Sequence, residues 1–110
     1  MITSEGLATR LDGIGEIGIR PDGVWRLAWT EEDAAARSWF AEQAAGTGLR
    51  VERDPAGNLW ACPDADAPWW AVGSHLDSVR GGGRFDGPLG VACGFELAAD
   101  ASGPVAVVSL

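Results

Sequence analysis

The chain has no lysine and no tyrosine, one histidine, one methionine and two cysteines among its 110 residues. All eight of its basic side chains are arginine, against sixteen acidic ones, and the net charge of −8 opposes phosphate backbones and anionic lipid. Nucleic acid and membrane surfaces are therefore not expected partners. Without lysine there is no G-x-x-x-x-G-K-[ST] phosphate loop, despite the glycines at Gly81, Gly82 and Gly83. Cys62 and Cys93 lack C-x-x-C spacing, which gives no support to a thiolate zinc site or a disulfide framework and leaves two buried thiols as the reading. Long apolar runs are absent too. Pro104 to Leu110 falls far short of the roughly 20 residues that span a bilayer, and Met1 to Arg10 lacks the basic and apolar regions of a signal peptide. A cytoplasmic protein is expected.

What is present is ordinary globular composition, 46% hydrophobic and 22% charged, in a length that suits one small domain at most. Six tryptophans lie scattered from Trp25 to Trp70 with no period, which suits packing rather than base stacking. Leu7, Leu11 and Ile14 recur at helical spacing, so Ser4 to Ile14 reads as an amphipathic helix ending near Gly13 and Gly15. After the Pro21-Asp22-Gly23 turn, Val24 to Trp29 reads as a strand or extended arm. Thr30, with Glu31, Glu32 and Asp33 behind it, is a helix start whose acids favour the positive end of the dipole. That helix is expected to reach about Ala45, before Gly46 and Gly48.

Leu49 to Arg53 and Asn58 to Cys62 read as a hairpin around Asp54-Pro55-Ala56-Gly57. Trp69 to Ser74 is a continuous apolar run, expected as a strand buried on both faces. A helix over Pro88 to Ala99 and a second buried strand over Val105 to Leu110 complete a βαβ unit with parallel strands. The expected fold class is α/β, with helices packed on a mixed, partly parallel sheet. Ligands in such sheets sit beyond the carboxyl ends of the strands, where His75 and Asp86 fall.

The segment with chemistry in it is Gly73-Ser74-His75-Leu76-Asp77-Ser78-Val79, then Gly81-Gly82-Gly83-Arg84-Phe85-Asp86-Gly87-Pro88-Leu89-Gly90-Val91. In extended backbone, residues two apart point the same way, so the Asp77 carboxylate can reach the His75 imidazole and hold one ring N–H, as around metal-bound histidines. Asp86 has a short carboxylate able to bridge two ions roughly 3.5–4 Å apart. Asp86-Gly87-Pro88 ahead of an apolar helical run is equally the pattern of a helix N-cap.

Taken together, these residues closely resemble the first metal-binding motif of the M20 metallopeptidase-like amidohydrolases. The Gly-Gly-Arg-Phe-Asp-Gly form at Gly82 to Gly87 resembles the branch of N-carbamoyl-L-amino-acid hydrolases and allantoate amidohydrolases. Weaker flanking similarities extend over nearly the whole chain, among them Asp33 to Arg37, Gly48 to Val51, Asp54 and Gly57 to Leu59.

The resemblance implies the amino-terminal part of a zinc-peptidase-like catalytic domain, with residues 1–110 a truncated metal-binding domain and no dimerisation domain. It implies two divalent metal ions, zinc or manganese, with His75 ligating one, Asp86 bridging both and Asp77 orienting His75. It also makes the bond after Asp86 a candidate cis peptide, at about 3–4 kcal/mol for a non-proline bond. In the family a Glu-Glu pair, general base and ligand, follows the strand corresponding to Val105 to Leu110, so little activity is expected from these residues alone. The implied substrate is a small amide or ureido molecule. An aminopeptidase- or deacylase-like member of the same fold, or a non-catalytic module associating through an exposed sheet edge, are the alternatives.

Overall fold

A computed structural model describes residues 1–110. Helix α1 (Ser4–Gly15) starts at Thr3, whose Oγ1 accepts the Gly6 N–H at 3.0 Å, and it buries Leu11 and Ile14. A small hairpin follows, β1 (Ile19–Arg20) against β2 (Gly23–Val24). The strand expected over Val24 to Trp29 stops at Val24. Beyond it the backbone bonds a distant loop instead of a strand: Arg26 O accepts from Ser78 N at 2.8 Å, and Trp29 turns into positive φ at 68°.

Helix α2 (Glu31–Gly46) has a reciprocal cap. Thr30 Oγ1 accepts from Asp33 N at 3.3 Å, while Asp33 Oδ2 accepts from Trp29 N at 3.0 Å. Strands β3 (Arg50–Arg53) and β4 (Leu59–Cys62) form the expected antiparallel hairpin. Asp54 closes its turn, accepting from the N–H groups of Ala56 and Asn58, the Asn58 amide and the Trp60 indole, all within 2.9–3.0 Å.

Strand β5 (Trp70–Ser74), helix α3 (Pro88–Asp100) and strand β6 (Val105–Ser109) make the βαβ unit, with β5 and β6 parallel. The sheet order is β3-β4-β6-β5, and β4 is antiparallel to β6, so the α/β fold with a mixed, partly parallel sheet is as expected. The expectation that β5 is buried on both faces is corrected. It is an edge strand bonded only to β6, and Trp70 stands 77% exposed, whereas all five residues of β6 are buried. An apolar run announces a strand; its place in the sheet order depends on pairing partners far away in sequence.

The core draws on all three helices and the sheet: Ile14, Ala36, Phe40, Ala61, Phe95 and Val107 belong to one cluster. Phe95 meets Phe40 and Trp39 edge-to-face, with centroids 5.1 and 6.2 Å apart. Both cysteines are free thiols, Cys62 buried but Cys93 only half-buried, because α3 turns Cys93 away from the core. No helix is long and apolar enough to cross a membrane.

Candidate functional site

His75 leaves the carboxyl end of β5, next to the end of β6, where Leu110 N donates to Ser74 O at 2.8 Å. Its ring is half-exposed, and Nδ1 stands 2.9 Å from the backbone carbonyl of Asp77 and 3.4 Å from its carboxylate. A carbonyl only accepts, so Nδ1 carries a proton, and in the neutral ring that leaves the Nε2 lone pair free. Asp77 therefore meets His75 through the main chain as well as through the carboxylate that the spacing suggested, and the main-chain contact is the shorter.

The segment after His75 is stapled to the chain after β2. Ser78 N donates to Arg26 O, Ser78 Oγ accepts from Arg26 N at 2.8 Å, and Val24 and Gly82 exchange both backbone hydrogen bonds at 2.9 Å. The side chain of Leu76 points into the core, 2% exposed, which turns its neighbours His75 and Asp77 outward.

Arg26 is the residue that the sequence reading missed. Its side chain is 1% exposed, and its guanidinium donates to three backbone carbonyls, from Nε to Leu76 at 2.7 Å and from Nη1 to Ile17 at 2.7 Å and Ile14 at 3.1 Å. Burial pulls its pKa below the ordinary arginine value, a shift opposed by the nearby charges of Asp33 and Asp77. Val24 to Trp29 read as a strand or extended arm, and no local pattern marks a buried arginine whose carbonyl partners lie 9, 12 and 50 residues away.

Asp86 sits on the turn before α3, exposed. The N-cap of α3 is Gly87 and no side chain caps it, so the N-cap reading of Asp86 is overturned and its carboxylate is not committed to the helix. The bond after Asp86 is not cis; the reversal is made by Gly87 at φ +106°, a conformation that glycine reaches without strain. Gly87 also lies against the imidazole, so that a Cβ there would stand 2.7 Å from His75 Cε1 and Nδ1. Gly90, one turn on, packs as closely on Ser74, where a Cβ would meet the Ser74 Cβ at 2.8 Å. These two contacts bring the start of α3, with Asp86 just before it, to the end of β5.

The donor set suits a divalent ion as one side of a site: an imidazole whose Nε2 has no hydrogen-bond partner, and a short carboxylate one residue before the glycine that packs on the ring. No three His, Cys, Asp or Glu side chains converge on one point, so these residues supply a partial shell.

No protein-family model matches the chain. An N-carbamoyl-L-amino acid amidohydrolase from Geobacillus stearothermophilus is 46% identical over 101 residues, 88% of this chain and 25% of the relative. A hydantoinase/carbamoylase family amidase from Burkholderia ambifaria has the same fold over 98% of this chain and 29% of its own, with a TM-score of 0.90 and 37% identity. The chain belongs to this amidohydrolase family. It spans about a quarter of the length of the curated amidohydrolases it matches. A ureidoglycolate hydrolase from Arabidopsis thaliana is 30% identical over 99 residues, 86% of the chain and 21% of the relative, so the hydrolases matched include more than one ureido chemistry.

Proposed function

We propose that this chain is the metal-holding, amino-terminal portion of a catalytic domain that hydrolyses linear amide or ureido C–N bonds, with an N-carbamoyl amino acid or an allantoate-type ureide as substrate. The carrying observation is the His75 ring, held at Nδ1 by Asp77 with Nε2 open, at the strand end where this family's motif stands. His75 and Asp86 would hold zinc or manganese, with Asp86 bridging two ions, and Asp77 sets the ring. When bound, such ions polarise a carbonyl and bring the pKa of water toward neutrality. This chain's own part is to hold the ring by Nδ1 so that its Nε2 edge faces the site, and to offer a carboxylate to the same site. Two free thiols suit a cytoplasmic setting.

The resemblance puts the general base and remaining ligands beyond Leu110, so residues 1–110 bind metal weakly and turn over little or no substrate. Calorimetric titration with zinc or manganese, comparing the intact chain with His75→Ala, tests the ligand assignment. Loss of the heat signal in the variant is expected, and identical isotherms remove His75 from the site. Chelator-sensitive hydrolysis of an N-carbamoyl amino acid by the purified, tag-free chain would overturn the partial-site reading.

A further inference from the structure

Two consecutive peptide units flank the Cα of Asp77, and both are bonded to Arg26. The first carries the Leu76 carbonyl, which accepts from Arg26 Nε at 2.7 Å; the second carries the Ser78 N–H, which donates to Arg26 O at 2.8 Å. A trans peptide unit points its C=O opposite to its N–H. Fixing Ser78 N–H on Arg26 therefore directs the Asp77 carbonyl the other way, toward His75 Nδ1 at 2.9 Å. The far arm of the same guanidinium is anchored on two main-chain carbonyls, that of Ile14 in the last turn of α1 and that of Ile17 just beyond it.

We propose that Arg26 is a positioning residue for His75: its guanidinium ties the peptide unit before Asp77 to the Ile14 and Ile17 carbonyls, its main-chain carbonyl holds the unit after Asp77, and together they set the carbonyl that selects the Nδ1–H tautomer and leaves Nε2 open to a divalent cation. The assignment rests on His75 being a metal ligand. Burying a charged fork at 1% exposure with no carboxylate in contact is costly, and closing a gap between helix and strand needs only an apolar side chain. A planar fork is needed because donors must reach α1 on one side and Leu76 on the other. A lysine ammonium, with all its donors on one nitrogen, cannot span both.

His75 is the only histidine, so its ring nitrogens are read without assignment ambiguity. The test is a long-range ¹H–¹⁵N spectrum of the labelled 110-residue chain at about pH 8.5, where imidazole is neutral, together with calorimetric titration by zinc alone. The unaltered chain should show Nδ1–H. Arg26→Gln and Arg26→Lys should both move the ring toward the Nε2–H form that free imidazole side chains favour, with zinc affinity falling about 10-fold or more. Phe95→Leu, a core change at none of the residues that hydrogen-bond to Arg26 or His75, should lower stability while leaving the ring signals in place. Folded Arg26 variants with wild-type ring signals overturn the proposal.

If neither variant folds, hydrogen exchange of the Arg26 Nε–H in the unaltered chain decides: slow exchange supports the clamp, and exchange as fast as at an exposed arginine overturns it. The two assignments fail separately. A wild-type ring in the Nδ1–H form that shifts in Arg26 variants but binds no zinc sinks the ligand reading and leaves the clamp standing. Zinc binding and ring signals that are the same with and without the guanidinium sink the clamp alone.

Discussion

Replacing Gly87 by alanine is the sharpest perturbation of the loop cluster, because one methyl group acts on the backbone and on His75 together. At φ +106° an L-residue is strained, which costs about 1–3 kcal/mol. The added Cβ would lie 2.5 Å from the His75 carbonyl oxygen and 2.7 Å from its Cε1 and Nδ1, where ordinary contact begins at 3.4 Å. Either the imidazole rotates away from Asp77 or the start of α3 lifts from the end of β5. Forced repacking of this kind costs about 1–3 kcal/mol, so the expected total is about 2–6 kcal/mol. Urea unfolding followed by tryptophan fluorescence measures it. Gly103→Ala, with nothing within 4 Å of the new Cβ and no positive φ, is the matched control and should stay within about 0.5 kcal/mol of the parent. The His75 ring signals should also move in Gly87→Ala and not in the control. A Gly87→Ala chain as stable as Gly103→Ala, with its ring signals in place, would refute the packing of α3 on His75.

Three further outcomes are expected. Asp77→Asn keeps the main-chain carbonyl, so the ring should stay in the Nδ1–H form, with zinc affinity reduced less than in Arg26→Gln; loss of that tautomer would show that the carboxylate, not the carbonyl, sets the ring. Side-chain hydrogen bonds from Asn58 and Trp60 hold the Asp54 carboxyl below its ordinary value, so its contribution to stability is present above about pH 4 and is lost as pH falls further. An Asp54→Asn chain should then lose less stability than the parent in an acid titration followed by circular dichroism, and parallel curves would contradict this. Phe95→Ala empties the meeting point of Trp39 and Phe40 and should cost about 3–5 kcal/mol in urea unfolding; a loss under 1 kcal/mol would place the core elsewhere.

The elements were legible in the sequence because their signals are local. Thr30 and its three acids mark the start of α2, Asp54 to Gly57 mark a hairpin turn, and apolar runs mark β5 and β6. The His75 to Gly90 segment was legible for a different reason: a specific order of residue types is rare by chance, and it resembled one family. Tertiary structure alone decided what depends on pairing between distant segments. It placed β5 at the edge and β6 inside, ended the arm at Val24, and freed Asp86 from the helix cap. It also buried Arg26 against carbonyls from α1 and the His75 loop. Hydrogen bonds that join residues 50 positions apart leave no period or spacing for a sequence to display, so the orientation of the imidazole, unlike its presence, belongs to the fold.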